Sequence, residues 1–305
     1  METFCSNGKL LITGEYVVLD GAKALAIPTK YGQRLTVERT KRTILDWKSY
    51  DENGNLWFAE AFAFDDSNIL NQNKNENAIA IRLMQILEAA KALNPDFLKT
   101  GSGYNVSTHL DFKRTWGLGT SSTLINNVAQ WANIDAYRLL EKTFGGSGYD
   151  IACAQHKTSI TFQLSNAKHP IVNPVAFDPS FKNQLYFVYL NKKQNSREGI
   201  ETYKTLNRVN DSILEDITAI TEKLITTKTL YDFEVLLDQH EHLVAEIIHQ
   251  EPIKSKLFKD FEGSVKSLGA WGGDFVLVTS KSNPSTYFKS KGFETVIPYS
   301  EMVLN

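Results

Sequence analysis

Apolar and polar residues alternate along the opening of the chain in the two-residue rhythm of β-structure. Residues 9–13 form one such run, Gly14 turns it, and residues 16–19 form a second that stops at Asp20-Gly21. An Asp-Gly pair beside apolar runs predicts a hairpin. Further strands are predicted at residues 34–39, 43–48 and 56–62, with Asp51-Glu52-Asn53-Gly54 turning the last two. The rhythm then changes. Ala78, Ile81, Leu83, Met84, Leu87, Ala90 and Leu93 recur at helical spacing, and Pro95 ends the run. Residues 104–110 alternate again as a strand, and a helical run extends from Ser121 to about Leu140.

The second half opens with strands near residues 159–164 and 184–190. Ile213, Ile217, Ile220 and Leu224 mark one helix; Phe233, Leu236, Leu237, Val244, Ile247 and Ile248 mark another. A helix over residues 254–268, a glycine turn, a strand at 275–279, a short helix at 284–291 and a strand at 293–297 complete the pattern. Strands and helices mix without regular βαβ alternation, so the predicted class is α+β. No internal repeat or low-complexity linker interrupts it; the Asn-rich stretch 68–77 reads as a loop, with an active-site lid as the other reading.

Composition narrows the function. The 305 residues suit two domains, and 42% apolar content supplies a packed core. A net charge of -2 shows none of the basic excess expected of a nucleic-acid binder. Cys5 and Cys153 are too few for a disulfide framework and read as small buried hydrophobes in a reduced compartment. Met1-Glu2-Thr3-Phe4 lacks the basic, apolar start of a signal peptide. No stretch approaches the ~20 apolar residues of a membrane span. The expectation is a cytoplasmic protein with a small-molecule substrate, no nucleic-acid or membrane partner, and homodimerisation left open.

Four segments carry candidate chemistry. In Trp116-Gly117-Leu118-Gly119-Thr120-Ser121-Ser122, two glycines turn the backbone just before a predicted helix. Such a turn aims unpaired N–H groups and the positive dipole end at one point, where a phosphate fits. Hydroxyls of Ser121 or Ser122 suit Mg2+, which prefers oxygen ligands. An ordinary turn with a Ser or Thr cap has the same residues. A P-loop, the protein-kinase motif set and a Rossmann fingerprint are all absent. Gly145-Gly146-Ser147-Gly148-Tyr149-Asp150 places an acid after a flexible turn, where it can orient and deprotonate an acceptor hydroxyl, or cap a helix. Lys9 interrupts an apolar strand; pairing with a carboxylate such as Asp150, or a solvated strand face, explains it. Gly269-Ala270-Trp271-Gly272-Gly273-Asp274 lets backbone approach a ligand closely, or builds a tight hairpin. His240, His242 and His249 lack the paired spacing of a zinc motif.

In this order the segments resemble the motifs of the GHMP kinases, the family of galactokinase, homoserine kinase, mevalonate kinase and phosphomevalonate kinase. Residues 6–16, Trp116 to Ser122, Gly146 to Asp150 and Gly269 to Asp274 carry the likeness. The resemblance implies a ribosomal-protein-S5-like, ATP-binding N-terminal domain (residues 1–179) and a ferredoxin-like C-terminal domain (residues 180–305). It implies ATP and Mg2+ as cofactors, with Gly117, Leu118, Gly119, Thr120, Ser121 and Ser122 around the triphosphate. Asp150 and Lys9 would be catalytic, Ser121 and Glu141 would hold magnesium, and Glu15, Tyr16, Gly272, Gly273 and Asp274 would meet the acceptor. The Gly14-Glu15-Tyr16 and Gly272-Gly273-Asp274 runs look closer to phosphomevalonate kinase than to mevalonate kinase, and Gly148 to Ala152 resembles the GHMP kinases named for that run. The implied activity is phosphoryl transfer from ATP to a small hydroxy acid or its phosphate; a diphosphomevalonate decarboxylase or a non-catalytic homologue are the alternatives. Departures from the family pattern are Asn7 for proline, Thr120 for serine, Trp271 for glycine, and a short segment between the loop and Asp150.

Overall fold

The computed structural model describes all residues except 66–68, 72–76, 100, 168, 207–208 and 305, and the side chain of Asn71. In chain order the strands are β1 (Glu2–Leu11), β2 (Ala24–Thr40), β3 (Ile44–Tyr50), β4 (Leu56–Phe64), β5 (Ile69–Asn71), β6 (Gly103–Leu110), β7 (Ile160–Leu164), β8 (Pro170–Pro174), β9 (Leu185–Tyr189), β10 (Val265–Ser267), β11 (Phe275–Thr279) and β12 (Val296–Pro298). The helices are α1 (Ala78–Leu93), α2 (Thr120–Ala132), α3 (Ala136–Thr143), α4 (Tyr149–Gln155), α5 (Ser196–Thr205), α6 (Asp211–Thr226), α7 (Leu230–Ile247), α8 (Ile253–Leu257), α9 (Ser285–Ser290) and α10 (Tyr299–Met302). The class is α+β, as the mixed pattern predicts.

The chain divides into two compact units. Residues 1–8, 31–114 and 119–155 make the first. Its strands follow the order β5-β4-β3-β6-β2, with β1 paired to β2. β3 and β6 are parallel, and β3–β4, β4–β5 and β2–β6 are antiparallel. Alternation along these strands turns Leu35, Val37, Leu45, Trp47, Phe58, Phe62 and Val106 to one face, where α1, α2 and α3 cover them with Leu83, Leu87, Ile125, Val128 and Leu139. Burying one such side chain stabilises by about 1.5–3 kcal/mol.

Residues 9–30, 115–118 and 156–305 make the second unit. Here the start of β2 pairs with β7, and β7 with β8, all antiparallel. A separate antiparallel sheet runs β10-β11-β9-β12. β9 and β11 are buried throughout, which explains their nearly unbroken apolar sequences. Tyr186, Val188, Val276 and Val278 pack with Phe258 and Phe288; Val17, Tyr203, Ile217, Val244 and Trp271 form a second cluster.

Four expectations are corrected. The opening hairpin does not form, because Tyr16 takes φ 62° and residues Val17–Asp20 wind into a 3-10 turn whose valines are buried. The helix expected from 121 to 140 is two. Asn133 ends α2 in the left-handed region at φ 52°, and the Asp135 side chain caps α3 by accepting from Tyr137 N–H. The helix expected over 254–268 is short α8 followed by strand β10, whose Lys266 and Ser267 are buried polar residues that an apolar-periodicity reading mistakes for a solvated face. Cys153 is buried as expected, but Cys5 is exposed. The expected strand at 34–39 is the second half of a longer strand that starts at Ala24, and α5, β8 and α10 have no counterpart in the reading. Of the Asn-rich 68–77 stretch, read as a loop, Ile69–Asn71 forms strand β5 paired to β4, and residues 68 and 72–76 lie outside the described residues.

The break between α2 and α3 is testable. Asn133→Gly relieves the left-handed conformation and should hold or raise stability, whereas Asn133→Ala should cost about 0.5–1 kcal/mol. Urea unfolding of both variants measures the difference, and equal effects would contradict the cap.

Candidate active site

The residues nominated by sequence fall in both units. In the first unit, α2 starts at Gly119, which has φ 99° and provides no side-chain cap. The first bond to Gly119 O comes from Thr123 N–H at 2.9 Å, so the amides of Thr120, Ser121 and Ser122 precede the helical ladder. Gly117, at φ 68°, and Gly119 are the two positions where this loop needs glycine. The four hydroxyl residues divide by direction. Ser122 is buried and donates to Gly119 O at 3.0 Å; Thr123 is buried and lies 2.8 Å from Gln33 Oε1. Thr120 is half-buried and Ser121 exposed. Leu118 anchors the loop with a fully buried side chain.

Asp150 lies in the first turn of α4, half-buried, and its Oδ1 accepts from Ile151 N–H at 3.1 Å. Tyr137 on α3 is close enough that burial first, and the Asp150 charge second, push its phenol above the usual range. Glu141 is exposed on α3.

The second unit holds Lys9, Gly117 and Asp274. Lys9 Nζ donates to Gly117 O at 2.7 Å, and Lys9 N–H donates to Leu118 O at 3.0 Å. Side chain and backbone of one residue therefore hold the loop. A Cβ on Gly117 would fall 2.3–2.5 Å from the Asp274 carboxylate atoms, so only glycine fits there. Asp274 is 7% exposed with φ 53°, and its Oδ1 accepts from Gln194 N–H at 3.1 Å. Burial raises its pKa, while Lys9, Gln194 N–H and Lys193 oppose the rise. Gly272 and Gly273 pack against Gln194 and Lys192.

The other first-motif residues turn inward. Glu15, expected to meet the acceptor, is 0% exposed, and its Oε1 accepts from Lys266 Nζ at 2.5 Å. Lys266 is itself 0% exposed. His240 Nε2 accepts from Gly14 N–H at 2.8 Å, and Glu241 accepts from Ile253 N–H, Ser267 N–H and Ser267 Oγ at 3.0–3.1 Å. Tyr16 is half-buried, stacks on Tyr203 at 5.6 Å, and accepts from Trp271 N–H at 3.3 Å. Trp271 is 5% exposed within the cluster around Val17 and Tyr203, so it is a core residue. Among the described residues no group of three His, Cys, Asp or Glu side chains stands together to hold a metal.

Comparison with solved structures settles the architecture. The chain is similar to Streptococcus pneumoniae phosphomevalonate kinase in complex with phosphomevalonate and AMPPNP, with a TM-score of 0.68 and 16% identity over 100% of this chain and 98% of that one. It is similar to Methanococcus jannaschii mevalonate kinase, with a TM-score of 0.66 and 16% identity over 97% and 96% of the two chains. Lactococcus lactis galactokinase complexed with galactose matches at a TM-score of 0.63 and 14% identity over 95% and 88%. The fold is that of the GHMP kinases. No protein-family profile and no curated protein matches the sequence.

Within this GHMP kinase fold, sequence reasoning missed Gln33, Asn126, Gln194, His240, Glu241 and Lys266. All but Gln194, which lies in the loop between β9 and α5, sit inside an element, and each has its partner at a distance in sequence. A buried Lys266 in a short strand had no local signal beyond its apolar neighbours.

The buried group makes a pH prediction. Burial, then Lys266, keeps His240 neutral and well below its ordinary 6.5. Its contribution to stability is present above pH 6.5 and lost as pH falls. Burial, opposed by Lys266, pushes Glu15 from 4.5 up to about 7, so its contribution runs the other way and is lost as pH rises between those values. Removing the imidazole with His240→Gln leaves the Glu15 slope unopposed. The variant's unfolding free energy should fall more steeply than the parent's from pH 5 to 6.5, by up to about 1.4 kcal/mol per pH unit. Equal slopes in urea titrations would show that His240 does not titrate on unfolding.

Proposed function

We propose that the protein is a cytoplasmic, ATP-dependent phosphotransferase acting on a small hydroxy acid or its phosphate, mevalonate- or phosphomevalonate-like. The carrying observation is the row of amides at Thr120, Ser121 and Ser122, opened by left-handed Gly117 and Gly119 with no side chain capping it. Amides placed this way bind phosphate oxygens, and the dipole of α2 adds to the attraction. Phosphomevalonate and galactose, bound in two of the similar structures, are small hydroxylated molecules, which supports the reading.

In this reading Gly117–Ser122 cradles the triphosphate within an N-terminal ATP-binding domain, residues 1–179, followed by the C-terminal domain, residues 180–305. Asp150 orients the acceptor hydroxyl and takes its proton as the acceptor oxygen bonds to the γ-phosphorus and the bond to the β-γ bridging oxygen breaks, releasing ADP. Lys9 holds the loop through Gly117 O and steadies negative charge. The exposed Ser121 hydroxyl fits a hard cation, with Glu141 the other residue proposed toward it; phosphate oxygens and water would complete the shell. Mg2+ bound there would offset charge on the phosphates. Tyr16, Gly272, Gly273 and Asp274 are the proposed acceptor contacts. Glu15 instead supports them from behind, since a 0% exposed carboxylate bonded to Lys266 is closed to substrate. Trp271, which departs from the family pattern, is a core residue and is assigned no contact with a reactant.

A coupled ADP-release screen over mevalonate, phosphomevalonate, homoserine and sugars tests the reading. Acceptor-dependent ADP release is expected from the acid or its phosphate. Asp150→Asn should cut kcat by about 10²–10⁴-fold while the variant stays folded and binds nucleotide. Carbon dioxide released with ADP would mean a decarboxylase, and nucleotide binding without transfer would mean a binding module.

A further inference from the structure

Helix α2 carries two asparagines, Asn126 and Asn127, at positions where the rest of the face is apolar. Both are almost completely buried, as are Ser6 on β1 and Gln33 on β2. Buried amides cost stability unless each donor and acceptor is met. Here they are met by one another in a directed chain. Gln155 Nε2 donates to Asn126 Oδ1 at 3.0 Å, Asn126 Nδ2 donates to Ser6 Oγ at 2.8 Å, and Ser6 Oγ–H donates to Asn127 Oδ1 at 2.7 Å. Asn127 Nδ2 then donates to Gln33 O at 3.0 Å, and Gln33 Oε1 lies 2.8 Å from Thr123 Oγ1.

The ends of this chain matter. Gln155 is the last residue of α4, which carries Asp150 in its first turn; Thr123 closes the first turn of α2 on Gly119 O. Helix α4 is only seven residues long and is preceded by Gly145, Gly146 and Gly148, all at positive φ. A helix that short does not hold itself in place. Apolar contacts from Ile151, Ala152 and Ala154 bury it, and hydrophobic packing is by itself non-directional. Hydrogen bonds are directional, and a fully satisfied buried network specifies one arrangement.

We propose that Ser6, Asn126, Asn127 and Gln155 are positioning residues, which set the first turn of α4, and with it Asp150, in register with the first turn of α2. The inference rests on the function proposed for Asp150 and the phosphate loop. None of the four is assigned contact with a reactant.

Gln155→Met is the clean variant, since Gln155 is largely exposed and only the terminal hydrogen bond is lost. Asn126→Leu breaks the middle of the chain. Hydrogen–deuterium exchange of the full chain reads the coupling without relying on activity. Amides of residues 149–155 and, at a distance, of residues 123–124 should exchange about fivefold faster or more in Gln155→Met. With the acceptor that supports ADP release, kcat should fall about tenfold or more while KM for ATP stays within about twofold, because a displaced Asp150 harms the chemical step rather than nucleotide binding. Faster exchange confined to residues 149–155, or kcat unchanged in a folded variant, overturns the proposal. Absence of ADP release from the parent with every acceptor counts against the proposed function alone, and the relay is then decided by the exchange pattern at residues 123–124.

Discussion

A buried ammonium has no water to accept its protons, and the hydrogen bond from Lys266 to Glu15 is where this chain meets that demand. Both side chains are 0% exposed, and 251 positions of sequence separate them. An isolated ammonium in that environment would cost several kcal/mol, so strand β10 and the first-motif turn cannot settle independently. His240 and Glu241 extend the constraint by accepting from Gly14 N–H, Ile253 N–H and Ser267. The backbone of residues 13–16, with Tyr16 at φ 62°, is held by these partners rather than by any propensity of its own.

The same rule operates in the first unit with neutral groups. There the amides of Asn126 and Asn127 and the hydroxyl of Ser6 replace apolar packing along the buried side of α2. Asp150 and the proposed acceptor contacts Gly272–Asp274 sit on short, glycine-flanked pieces of chain that lack intrinsic rigidity. Buried polar partners supply it. Asp274 illustrates the economy of the arrangement: one carboxylate accepts from Gln194 N–H and closes off the space beside Gly117.

Much of the architecture was legible because it follows local rules. Strand alternation placed β3, β4 and β6, an unbroken apolar run placed β11, helical spacing placed α1, α6 and α7, and the glycine pair before a hydroxyl run marked the start of α2. Those signals lie within a few residues of one another. What was illegible depends on distant partners. Nothing near Lys266 says that Glu15 will accept a hydrogen bond from it, so residues 265–267 resembled a solvated helix face instead of a buried strand. Nothing near Asn126 announces Ser6, so the buried side of α2 looked less polar than it is. Glu15 was nominated as an acceptor contact on motif position alone, and its burial assigns it a supporting place. Trp271 stood out only as a departure from the family pattern, and it is core.

The account comes down to whether the amides at the start of α2 take the phosphates of a nucleotide. A crystal structure with AMPPNP and Mg2+ measures this directly. The account predicts phosphate oxygens within about 3 Å of the N–H groups of Thr120, Ser121 and Ser122. Nucleotide bound elsewhere, with those three amides facing only water, would contradict it.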